Sequence, residues 1–88
     1  LTFAEIDENA FDCFRLAKEA ARRGGTVCAA MSAANEEAVA LFLQDQIGFY
    51  DISDLVARAM ELPSVDNPKL RDILAADQAA RELVLSGR

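Results

Sequence analysis

From Val27 to Gln46 the chain reads VCAAMSAANEEAVALFLQDQ, an alanine-rich stretch without a lysine or arginine. Val27, Met31, Ala34, Ala38 and Phe42 recur at helical spacing on one side, and Val39, Leu43 and Ile47 on another. A helix apolar on two sides has to be surrounded by neighbours rather than laid against one surface. Its alanines let those neighbours come close. This segment points to an all-α chain with one helix packed against several neighbours, and Gly48 is the expected end of that helix.

The flanking segments supply the neighbours. FDCFRLAKEAARR places Phe11, Phe14, Ala17 and Ala21 on one helical face, with Arg22 and Arg23 opposite the negative end of the helix dipole. Gly24 and Gly25 provide left-handed backbone to close that helix, and Thr26 is suited to cap the next. So short a connection makes the two helices antiparallel. A third helix opens at Asp51, with Asp54 also near its positive end, carries Ile52, Leu55, Val56, Ala59 and Met60 at i, i+3, i+4, i+7 and i+8, and stops before Pro63. PSVDNP is a loop in which Asn67 and Pro68 read as an N-cap and first-turn proline. Beyond it, Leu70, Ile73 and Leu74 form a stripe whose next position is Asp77. A charge inside a buried stripe is costly. A short helical turn over 70–75 and a break are therefore expected, with Asp77 capping a final helix that buries Ala80, Leu83 and Val84. An unbroken helix from Lys69 is the competing reading. The leading architecture is an antiparallel four-helix bundle forming one domain over residues 1–88.

Charge narrows the partners. The net charge is −6, and no basic residue falls between Gly24 and Tyr50. A nucleic-acid surface needs clustered Lys and Arg, so nucleic acid is excluded. The longest apolar run, Ala38–Leu43, is far short of the ~20 residues that span a bilayer, which excludes a membrane helix. The chain opens on Leu1 without an initiator methionine, which suggests a processed chain or a piece of a longer one, and no basic-then-apolar leader marks a secretory signal. Cys13 and Cys28 are too few and too far apart for a zinc motif, and read as small buried hydrophobes in a reducing compartment.

Chemistry has little to work with. There is no histidine for a Ser-His or Cys-His pair, and the Gly24–Gly25 pair does not extend to a phosphate-binding loop. Glu36, Glu37 and Asp45 lack the spacing of helical di-metal sites. Adjacent glutamates diverge by about 100° on a helix, so Glu37 reads as part of a solvated edge. No catalytic, cofactor-binding or metal residue is assigned. Asn35 falls on the face counted through Val27, Met31, Ala38 and Phe42. It reads as a buried amide that pins backbone groups of a neighbouring element. Glu36 and Asp77 join it as structural residues.

LTF at Leu1–Phe3, FDCFRLAKEA at Phe11–Ala20, GGT at Gly24–Thr26, SAANEEAVALFLQDQIGFYDI at Ser32–Ile52 and DILAADQAAR at Asp72–Arg81 occur in that order. Together they resemble the C-terminal domain of 1-deoxy-D-xylulose 5-phosphate reductoisomerase. The resemblance implies a parent enzyme that uses NADPH and Mg or Mn, makes 2-C-methyl-D-erythritol 4-phosphate for non-mevalonate isoprenoid synthesis, and is a homodimer of the bacterial cytoplasm or a plastid-type organelle. It implies that this segment is a helical bundle bracing the catalytic domain of its own chain. No ligand or catalytic residue of the family maps onto it. The chain departs from the family's usual pattern at Asp12, where proline is usual, at Ser32, where Asn is usual, and at Glu37, where an aliphatic residue or Thr is usual. The departures at Ser32 and Glu37 leave room for a divergent oxidoreductase with the same bundle, acting on another substrate; a separate alternative is a free-standing helical module whose exposed apolar face binds a partner protein.

Overall fold

The computed structural model describes residues 2–87. They form four helices: α1 (Phe3–Arg23), α2 (Val27–Leu43), α3 (Asp51–Met60) and α4 (Leu70–Gly87). Among the described residues α2 touches all three others, α3 touches α1 and α4, and α1 and α4 do not meet. The bundle is thus open on one side, with α2 at its centre as its two-sided apolar pattern requires.

Local signals explain most of the boundaries. Gly24 and Gly25 adopt φ of 70° and 60°, and the Gly24 N–H closes α1 onto the Ala20 carbonyl at 3.0 Å. A Cβ on Gly25 would lie 2.6 Å from the Val65 carbonyl oxygen, so this corner needs glycine for space as well as for backbone. α2 stops before Gln46 and Gly48. Asp45 takes the left-handed conformation (φ 59°), its N–H donates to Phe42 O at 3.0 Å, and the Gln46 N–H donates to Leu41 O at 2.9 Å. That is a Schellman closure with aspartate where glycine is usual, tolerated because a short polar side chain enters this region more easily than most. Phe42, Phe49 and Tyr50 pack in sequence across the connection to α3, the first pair of rings tilted and the second edge-on. At the head of α3 the Asp51 carboxylate accepts from the Gly48 N–H at 2.8 Å.

The α3 face is buried as its period predicts: Ile52, Leu55, Val56, Ala59 and Met60 are all at most 4% exposed. They meet Ala30, Ala33, Ala34, Ala38 and Leu41 of α2, Ala20 of α1, and Ala80 and Val84 of α4. Alanine supplies half of this core, so backbones approach closely and little volume is left for large side chains.

Several expectations are corrected. The face of α1 carrying Phe11, Phe14 and Ala21 points outward, while Cys13, Leu16 and Ala20 turn toward the bundle. Asn67 is a left-handed turn residue (φ 51°), not a cap; Lys69 takes the cap position, and its N–H donates to Asp72 Oδ2 at 2.9 Å. Pro68 accordingly stands outside the helix. There is no break at Asp77. α4 is continuous because Leu70 and Leu74 are mostly exposed (71% and 60%), so the stripe leading to Asp77 is not a buried seam and no charge is forced into a core. Asp77 is a mid-helix residue, not a cap.

Candidate functional site

The polar insert of α2 divides between two sides of the helix. Ser32 and Asn35 are exposed and, with Cys13, Ala17, Met31 and Glu36, line an open groove of about 520 Å³ toward α1. Asn35 is therefore not a buried pin. The buried stripe of α2 runs through Val27, Ala30, Ala34, Ala38 and Leu41, rotated from the face counted in the sequence, and Asn35 falls beside it. Among the described residues its amide makes no hydrogen bond.

Toward the other side, the Glu37 carboxylate, together with that of Glu36 at the border of the groove, meets a single cation from α4. Arg81 Nη1 donates to Glu37 Oε1 at 3.2 Å and to Glu36 Oε1 at 3.4 Å. Arg81 Nε donates to Asp77 Oδ1 at 2.7 Å, one helical turn back on its own helix. An acid four residues before a base is the favourable order on a helix. The planar fork lets one guanidinium serve carboxylates from two helices. Glu37 is half-buried here, not part of a solvated edge, and the adjacent glutamates do converge because their long side chains bend to one nitrogen. The hydrogen bonds that Arg81 donates to Asp77, then to Glu37, raise its pKa above the ordinary value, so it stays charged.

The chemistry of this cluster is electrostatic clamping. Its carboxylates are taken by a guanidinium, and among the described residues no group of three His, Cys, Asp or Glu side chains is placed to hold a metal. These residues do not fit a metal centre or a nucleotide-phosphate cradle. Burial first and the Asp12 carboxylate second raise the pKa of the half-buried Cys13 thiol, keeping it in its unreactive protonated form near neutrality. Cys28 is exposed, contrary to the expectation of burial.

A second anchor joins distant segments. Thr26 stands at the head of α2 as expected, but its hydroxyl makes no cap bond. It is 2% exposed and accepts the Val65 N–H at 3.1 Å, holding the α3–α4 loop against the α1–α2 corner. Arg23 and Glu61, at the ends of α1 and α3, pair nearby at 3.5 Å. Sequence reasoning missed Arg81 and the loop partner of Thr26. The signal for Arg81 was present: two acids on a helix with no base of its own, and an Asp-x-x-x-Arg pair later in the chain.

Comparison with known proteins bears on what this clamped bundle is part of. The family model described as DXP reductoisomerase C-terminal domain matches residues 1–83. The chain is similar to the 1-deoxy-D-xylulose 5-phosphate reductoisomerases of Acaryochloris marina (45% identical), Synechocystis sp. (47%) and Caldanaerobacter subterraneus subsp. tengcongensis (43%). These matches cover 97–98% of this chain but 22% of each relative. No solved structure gives a significant match. Among the described residues no helix is long and apolar enough to cross a membrane.

Proposed function

Because this chain belongs to the DXP reductoisomerase C-terminal domain family, we propose that it is the non-catalytic helical end of an enzyme converting 1-deoxy-D-xylulose 5-phosphate to 2-C-methyl-D-erythritol 4-phosphate. The parent is an NADPH-dependent, Mg- or Mn-using homodimer of the bacterial cytoplasm or a plastid-type organelle. Residues 1–88 form one domain of it and brace the catalytic domain. The observation that carries this reading is the pattern of coverage: the chain spans about a fifth of the length of relatives that it matches almost end to end.

The geometry supports a bracing role. The acidic half of α2 is clamped by Arg81, and Thr26 ties a loop to a corner, so the polar groups bind the helices to each other. The departure at Glu37 is matched within the chain, since Arg81 receives that carboxylate. Calorimetry tests the reading: the 88-residue chain takes up neither NADPH nor Mg, and micromolar binding of either contradicts a purely supporting role.

A further inference from the structure

The side of α1 turned away from the bundle is aromatic. Phe11 and Phe14 are 67% and 62% exposed, Phe3 is 87% exposed, and Ala20, on the opposite side, is fully buried. Phe11 and Phe14 line an open groove of about 650 Å³, with Lys18 and Arg22 at its edge and the inward-turned Leu16 reached only at its margin. Isolated exposed apolar residues are ordinary, but neighbouring aromatic rings on one helix face form a patch of the kind that marks an interaction surface. The sequence made this the apolar face of α1, and the bundle leaves it uncovered.

What covers it follows from where the rest of the polypeptide lies. The relatives are matched over 22% of their length, and the matched family unit is a C-terminal domain, so the remaining four-fifths leads into the N-terminal end of α1. Phe3 and Phe11 lie close to that entry. We propose that the outer face of α1, centred on Phe11 and Phe14, is the seat on which the preceding part of the same parent chain docks. This rests on the functional reading above and names the face that performs the bracing. A tethered partner is held at high effective concentration, so a modest interdomain contact is enough. Aromatic anchors at the centre and charges at the rim suit such a contact. At the rim Arg15 pairs with Asp12 and Arg22 with Glu19. Lys18 lies over the Phe14 ring at 5.7 Å and makes no ion pair among the described residues. The complementary surface is therefore apolar, with a carboxylate facing Lys18.

Hydroxyl-radical footprinting of the full-length parent enzyme, read by mass spectrometry at Phe11 and Phe14, tests this. Labelling is expected to fall at least about fivefold from the urea-unfolded to the folded enzyme, as for rings in a buried interface core, and to stay low on dilution. Rings labelled as in the unfolded chain overturn the proposal. Protection that fades on dilution also overturns it, and identifies a second copy as the occupant. The coding sequence before Leu1 tests the functional reading separately. If it lacks nucleotide-binding and catalytic domains, that reading falls; exposed rings in a chain that has them sink only the docking face.

Discussion

The Thr26 hydroxyl accepts a hydrogen bond from the Val65 backbone N–H at 3.1 Å, across 39 residues of sequence. It fixes the loop after α3 to the corner between α1 and α2, so three helices share one joint. Thr26→Val keeps the shape and removes the acceptor. A part-buried donor left unpaired costs about 1–2 kcal/mol, which lowers the melting temperature by roughly 4–8 °C per kcal/mol in a domain of this size. Thr26→Ser, which keeps the hydroxyl, should melt much closer to the wild type. Thermal unfolding followed by circular dichroism checks both.

Two adjacent glycines should respond differently at the same joint. Gly24→Ala meets open space and bears only the left-handed backbone cost of about 1 kcal/mol. Gly25→Ala bears that cost and also drives a Cβ to 2.6 Å from Val65 O, which forces the loop away. Urea unfolding of the two variants should show Gly25→Ala as clearly the weaker. Equal losses would mean the loop gives way freely.

Removing the cation of the α2–α4 clamp leaves Glu36, Glu37 and Asp77 facing one another. Arg81→Gln is expected to lower the melting temperature at low ionic strength, with much of the loss recovered at high salt because exposed charges are screened. Adding Glu37→Gln to Arg81→Gln should restore part of the stability. A double-mutant cycle with no coupling would show that the ion pair contributes nothing.

The two thiols should differ in their reaction with iodoacetamide because one is exposed and the other half-buried. Burial and then Asp12 raise the Cys13 pKa, so iodoacetamide should modify the exposed Cys28 first, and Cys13 should reach half its limiting rate at a higher pH than an ordinary thiol. A folded-state pKa above the unfolded one gives a contribution present below the unfolded value and lost as pH rises through the folded value. Stability should therefore fall on the alkaline side from this group. Asp12→Asn should move the Cys13 midpoint down.

The sequence spoke most clearly where one local rule acted alone. The single amphipathic period of α3 placed Ile52, Leu55, Val56, Ala59 and Met60 inward, and the Gly24–Gly25 pair marked the end of α1. It was ambiguous where small apolar residues cover most of a helix. In α2 the alanines make so broad an arc that the period does not locate its centre, and Asn35 was assigned to the wrong side of that margin. In α1 the Phe11–Phe14 face is apolar, but the pattern does not say whether this bundle or another part of the protein covers it. The Asp77–Arg81 half of the clamp is legible in its i,i+4 spacing, but the Glu37 half is not, because Glu37 and Arg81 are 44 residues apart and no local spacing reports such a pair.

The central claim is that the polar residues of α2 hold or border packed helices and take no part in a reaction. Steady-state kinetics of the full-length parent carrying Ser32→Ala, Asn35→Ala and Glu36→Ala together tests it most directly. The account predicts kcat and KM indistinguishable from the unmodified enzyme at a temperature where both are folded. A fall in kcat of about 100-fold or more, the size of a lost acid–base group, would contradict it.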